Sequence, residues 1–179
     1  MIKENKRYIV LIIAIITLVI LGQWLKNYVI DNYKGYESTC LIENLVNITY
    51  VENTGGAWGV GQGDIATFII VNIMVIGIIV RFIITQKDRI GTFTLISLML
   101  ILAGGISNFI DRVFRGYVVD YIDITPIFNF PVFNLEDAVI IIGWIMFVVL
   151  ISISAIKLKY EKVEDRIEEN SSKKWECWN

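Results

Sequence analysis

Four stretches of the chain are almost continuously apolar, and the polar residues gather between them. They cover residues 8–26, 65–85, 92–110 and 135–156. Each is close to the ~20 residues that an α-helix needs to cross the hydrocarbon core of a bilayer, so the pattern predicts four transmembrane helices. The first stretch follows Lys3, Lys6 and Arg7, as a signal peptide would. No small-residue cleavage site comes after it and three more spans do, so it is read as a retained helix. Between the first two spans the period changes. In "NLVNITYVENTGGAWG", Val46, Ile48 and Tyr50 alternate, which is a strand signal, and the pattern breaks at Gly55-Gly56. Trp58, just beyond, suits the membrane interface. Gly116, Pro126 and Pro131 stop the third span from continuing, so residues 118–133 are expected to be extended or turned. Asn134 reads as the N-cap of the fourth span, with Asp137 three residues on. The expected architecture is one polytopic domain over residues 1–179. It is an α-helical integral membrane protein with four transmembrane helices, a small β-rich extracytoplasmic element after the first, and a charge-rich tail at 157–179 that forms a fraying helix.

Positive charge sets the expected orientation. The N-terminus carries Lys3, Lys6 and Arg7, the loop "TQKDRI" carries Lys87 and Arg89, and the tail begins "KLKYEK". Residues 28–64 hold only Lys34. By the positive-inside rule both termini are cytoplasmic and the other two loops lie outside. Cys40 and Cys177 then fall on opposite sides of the membrane and are expected as free thiols. Hydrophobic residues make up 55% of the 179 and charged residues 19%, which agrees with a membrane protein. The net charge of -2 gives no reason to expect nucleic acid, and the absence of histidine removes imidazole-based triads, zinc ligands and proton shuttles.

Against this background the acids are out of place. "VVDYIDITPIFNFPVFNLEDA" sets Asp120, Asp123, Glu136 and Asp137 beside two spans, where a carboxylate is costly unless it is paired or used. In "AGGISNFIDRVFRG", Gly104, Asn108, Asp111 and Arg112 recur on one helical face. Gly104 and Gly105 would allow a helix or a peptide to come close. Asp111 reads either as half of a buried pair that locks helices or as a site residue. Arg112 carries a planar fork suited to a carbonyl or carboxylate and is read as facing substrate. Taken alone, Asp120 reads equally as a solvated turn acid, and Asp137 as an acid answering its helix dipole. Taken together, one leaves the third span and the other enters the fourth at the same end. Two facing carboxylates can share one proton, so that the ionised partner serves as general base on water and the protonated one polarises a carbonyl. A small ion-coupled carrier would also use intramembrane acids, but carriers place them near the midplane, often between inverted repeats. No repeat is visible here.

At these residues the chain resembles the bacterial lipoprotein signal peptidases, also called signal peptidase II. The resemblance runs from the first span to the end of the fourth and rests on four blocks in order: "NTGGAWG", "GGISNFIDR", "VVDYID" and "FPVFNLEDA". It implies an intramembrane aspartic endopeptidase of the bacterial cell membrane, its site toward the extracytoplasmic side, without cofactor or metal and as a monomer among membrane lipids. Its implied substrates are diacylglyceryl-modified prolipoproteins, cut just before the lipobox cysteine. By matching motifs Asp120 and Asp137 would be the catalytic pair. Asn53, Asn108, Arg112 and Asn134 would hold substrate or order the pair, and Asp111 would support them. Gly55, Gly104, Gly105 and Lys26 are weaker candidates. Asp123 and Glu136 match no catalytic position and are expected as bystanders at the interface. One block departs: "GQWLK" has Gln23 and Lys26 as the family does, but Gly22 stands where an aspartate is usual. That departure leaves room for a protein that binds such substrates without cutting them. Lys26 reads either as a snorkelling anchor or as a helper in the site, and the loop around Trp58 as a flap.

Overall fold

The computed structural model describes residues 2–176, with side-chain burial described for 6–167. In chain order its elements are α1 (Ile2–Tyr33), β1 (Thr39–Ile42), β2 (Val46–Asn53), a 3-10 turn at Ala57–Gly59, α2 (Ile65–Thr85), α3 (Thr92–Phe114), β3 (Val118–Asp123) and α4 (Leu135–Glu176). Among the described residues, these four α-helices are each long and apolar enough to span a membrane.

The helices surround α3, which packs against α1, α2 and α4. Its most apolar window is 56% buried, against 6% for that of α1, so α3 is the axis and the others turn most of their surface outward. Leu95, Leu98, Met99, Ile101 and Leu102 of α3 form the apolar core with Ile79 and Ile83 of α2. The approach of α4 depends on missing side chains. A Cβ on Gly104 would lie 2.6 Å from the Glu136 carbonyl oxygen, and one on Gly143 would lie 2.8 Å from that of Ser97. In lipid, where apolar burial between helices contributes little, such close backbone contact is a main source of helix association. Gly105, expected to share this role, faces open space.

Both α1 and α3 run past the expected span ends. The last turns of α1 carry Val29, Ile30 and Tyr33, which pack with Val119 and Tyr121 of β3. This end of α1 is therefore the floor on which a sheet rests. α3 continues to Phe114 and stops where Gly116 takes a φ of 79°. The charge-rich tail continues α4 without a break to Glu176. At the opposite end of the bundle, Arg7 donates to the carbonyls of Lys87 and Ile90, which fixes the start of α1 to the loop between α2 and α3.

The sheet is antiparallel in the order β1-β2-β3. The alternation at Val46–Tyr50 falls within β2, as the sequence indicates. Its partner β3 lies in the segment expected only to be extended or turned; the run Val118-Val119 before Asp120 is the β-prone signal for it. Successive side chains of a strand point to opposite faces. Val119 and Tyr121 go down onto α1, while Val118 and Asp120 go to the other face with Val51 and Asn53. The pairings Val51↔Asp120 and Asn53↔Val118 make Asn53 the diagonal neighbour of Asp120. Cys40 is an exposed free thiol, and Cys177 lies outside the described residues.

The two adjacent glycines of α3 should respond differently. Gly104→Val forces α3 and α4 apart and should cost about 1–3 kcal/mol, whereas Gly105→Val should leave the thermal midpoint of the detergent-solubilised protein nearly unchanged. Equal losses in the two variants would contradict this packing.

Candidate active site

The fourth helix begins with a reciprocal cap. The Asp137 amide donates to Asn134 Oδ1 at 2.9 Å, and the Asn134 amide donates to Asp137 Oδ2 at 3.2 Å. This is the capping box expected from the spacing. It fixes the carboxylate of Asp137, whose other oxygen accepts from Asn108 Nδ2 at 2.8 Å. Asn134 is fully buried, and its side-chain amide faces β3, where it donates to Asp120 Oδ1 at 2.7 Å. The other oxygen of Asp120 accepts from Asn53 Nδ2 at 2.9 Å. Both acids are thus clamped by amide donors, and Asn134 touches both.

Both carboxylates line one cavity of about 790 Å³ at the sheet end of the bundle. Its walls are largely apolar, with Phe128, Phe130, Val132 and Ile141 among them, and Asn53, Asn108 and Arg112 complete the polar end. Asp120 is 2% exposed. Burial, and after it the charge of Asp137, push Asp120 up to about 7, against the hydrogen bonds of Asn53 and Asn134 and the charge of Lys26, which favour its ionised form. An acid held that high beside a second carboxylate can keep its proton near neutral pH.

Behind the pair lies a wholly buried ion cluster. Lys26 Nζ is 2.8 Å from Asp111 Oδ2, 2.7 Å from Asn108 Oδ1 and 3.4 Å from Glu136 Oε1. Lys26 is 0% exposed, so it is not a snorkelling anchor; its aliphatic stem and its ammonium are both inside. Asp111 also accepts from Gln23, from the Val119 amide and from Arg115. It ties α1, α3 and β3 together, as a locking residue would. Arg115 bonds Gln23 and Asn27 of α1 as well. Its i,i+4 relation to Asp111 was the available signal for this role.

Arg112 lines the cavity. It donates to the Gly55 carbonyl at 3.1 Å and lies over the Phe68 ring at 5.3 Å, so the glycine turn and α2 hold its guanidinium. Gly55 has no room for a side chain: a Cβ there would lie 2.7 Å from the Val60 carbonyl. Trp58 has a positive φ of 55° and meets Phe130 edge-on, and both rings line the cavity. Two expectations are corrected. Asp123, expected as a bystander at the interface, is buried and accepts from Thr49 and Thr125, closing the turn after β3. Glu136 is not a bystander either; it is buried against Ser107 and Lys26. Among the described residues no group of His, Cys, Asp and Glu has the arrangement of a metal site.

The fold and cavity define a polytopic helical membrane protein in which two carboxylates line one cavity at one end of the bundle. The family model described as signal peptidase (SPase) II matches residues 13–153. A lipoprotein signal peptidase of Lactobacillus johnsonii is 34% identical over 153 residues, which are 85% of this chain and 97% of that protein. Another, of Staphylococcus haemolyticus, is 34% identical over 150 residues, 82% of this chain and 93% of that one. A bacterial membrane enzyme solved by the in meso method at 2.3 Å is 32% identical, with a TM-score of 0.72 over 82% of this chain and 89% of its own. The chain belongs to the signal peptidase II family and is a protease of that family.

Removing one partner from a buried ion cluster leaves an uncompensated charge, which costs about 3–5 kcal/mol. Asp111→Leu should therefore lower the thermal midpoint sharply, whereas Glu52→Gln, whose partner Lys34 is in solvent, should not. Comparable midpoints for the two variants would contradict the central place of Asp111.

Proposed function

We propose that this chain is an intramembrane aspartic endopeptidase that removes signal peptides from diacylglyceryl-modified prolipoproteins, with Asp120 and Asp137 as its catalytic dyad. The observation that carries the reading is the clamping of two carboxylates, from different elements, at the polar end of one largely apolar cavity.

The chemistry follows from one proton on two acids. The ionised carboxylate takes a proton from a water as the water oxygen attacks the scissile carbonyl carbon. The protonated one donates to the carbonyl oxygen, so that the tetrahedral intermediate forms without a full negative charge. Collapse breaks the C–N bond, the departing nitrogen receives a proton from the dyad, and the carbonyl re-forms. Asn53, Asn108 and Asn134 hold the two carboxylates in place and limit their mutual repulsion. Arg112 is suited to a backbone carbonyl of the peptide, and Gly55 keeps the turn beside it narrow.

The cavity suits the substrate class. Apolar walls beside a polar end accommodate acyl chains and an apolar signal peptide next to the scissile bond. The Trp58–Phe130 contact supplies a cover. Lys6 and Arg7 lie at the end of the bundle opposite the dyad, so the positive-inside rule directs the dyad to the extracytoplasmic side of the bacterial cell membrane. The protein works as a monomer in this reading, since the dyad, the Arg and the cavity all come from one chain.

Purified protein incubated with a lipidated precursor should release the signal peptide and should act far less on the unlipidated form. Asp120→Asn and Asp137→Asn should each reduce cleavage by about 10²–10⁴-fold or more while still accumulating in membranes. Normal cleavage by both variants would sink the proposal. The sign of the pH effect follows from the raised Asp120. Below the lower apparent pKa of the pair the base is protonated and lost. As pH rises through about 7 the remaining proton is lost, and with it the polarising acid. The kcat/KM profile should be bell-shaped with its alkaline limb near that value; a plateau extending well above it would contradict the shared proton.

A further inference from the structure

We infer that Glu136 is a positioning residue of the active site: it occupies the side-chain space of Gly22, balances the charge of Lys26 and so fixes the proton shared by Asp120 and Asp137. The inference rests on the dyad proposed above.

Gly22 of α1 faces the Glu136 side chain. A Cβ there would collide with Glu136 Oε1 and lie 3.0 Å from its Cδ. The Glu136 carboxylate thus fills the volume that a side chain at position 22 would take, and only about 10 Å³ remains empty beside it. Position 22 is one helical turn before Lys26 on the same face of α1. An acid at 22 would meet Lys26 from within α1; here the acid comes from α4 instead. The absence of the aspartate expected at position 22 and the presence of a buried glutamate at 136 are two sides of one exchange.

Glu136 reaches that space from the first turn of α4. It is 4% exposed, and its Oε1 accepts from Ser107 Oγ at 2.8 Å with Lys26 Nζ at 3.4 Å. Its Oε2 is buried with no hydrogen-bond partner. A residue retained for packing alone would not bury an unpartnered carboxylate oxygen, which is costly. Its charge is the feature with a use. Lys26 donates to Asn108 Oδ1, so the amide nitrogen of Asn108 must point the other way, to Asp137. Fixing the ammonium therefore fixes Asn108 and, through it, the acid.

The charged and titratable groups around the dyad are Lys26 from α1, Asp111 and Arg112 from α3, Arg115 just past its end, Tyr121 from β3 and Glu136 from α4; the facing residue of β2 is the neutral Asn53. The cations Lys26, Arg112 and Arg115 are balanced by Asp111, Glu136 and a dyad that carries one negative charge. Without Glu136 one positive charge is in excess, and the dyad is driven to give up its proton.

The test compares the wild type with Glu136→Gln, Glu136→Ala, Gly22→Asp and the double variant Gly22→Asp/Glu136→Ala, on a lipidated precursor across pH. Glu136→Gln keeps the shape and removes the charge. It should lower kcat by about tenfold or more with KM little changed, and move the alkaline limb down by about one pH unit. Gly22→Asp alone crowds two acids into one space and should lose activity. The double variant should recover at least about tenfold over Glu136→Ala and restore the alkaline limb, because the new aspartate reaches Lys26 from α1. Wild-type kcat and pH profile in folded Glu136→Gln would overturn the inference, as would a double variant no better than its worse parent. Asp120→Asn in the same assay separates the two readings. If it is inactive while Glu136→Gln is normal, only the role of Glu136 fails; if it is fully active, the dyad itself fails.

Discussion

The ammonium of Lys26 is the point on which the polar interior depends. It has no contact with solvent, and a buried unpaired cation is among the most expensive groups a fold can carry. Its partners come from two other helices: Asn108 and Asp111 from α3, and Glu136 from α4. Satisfying one charge therefore requires α1, α3 and α4 to meet at one depth. Asp111 extends the constraint to the sheet by accepting the Val119 amide, and so sets the strand that carries Asp120. The same cluster that makes the interior electrostatically possible also aligns the acids.

The cluster and the cavity divide the work of the bundle. On one side of Asn108 lie the buried Lys26, Asp111 and Glu136. On the other, Asp137 and Asp120 border the largely apolar cavity of about 790 Å³. Asn108 and Asn134 stand between them, each with an amide that can face two ways at once. Asparagine suits this position because it transmits orientation without adding charge. A charged residue in its place would alter the electrostatics at both carboxylates.

The helices were legible in the sequence because lipid imposes a length and a composition on them, and Asn134 and Asp137 were legible because a capping box has a fixed spacing. Asp120 and Asp137 could be paired from the order of spans and the breaks at Pro126 and Pro131. The strand β3 was harder to see. It is short, it pairs with a strand more than sixty residues earlier, and its edge of Asn53 beside Asp120 exists only once the register is known. The anchor reading of Lys26 and the interface reading of Glu136 fail for a common reason. A charged residue near a span end ordinarily reaches for water, and only three-dimensional packing shows that partners are closer than the interface. Arg115 was missed although its i,i+4 spacing to Asp111 was visible, since such pairs usually lie on exposed faces and stabilise little.

The central claim is that two carboxylates lining one cavity, Asp120 and Asp137, hold one proton between them at neutral pH. Infrared difference titration of the membrane-embedded protein, with Asp120→Asn and Asp137→Asn for assignment, measures this directly. The account predicts a protonated-carboxyl band that persists to about pH 7, disappears in a single step and is abolished or displaced by either substitution. If both carboxylates ionise in the ordinary range near pH 4, and neither substitution alters the band, the shared proton does not exist and the account is wrong.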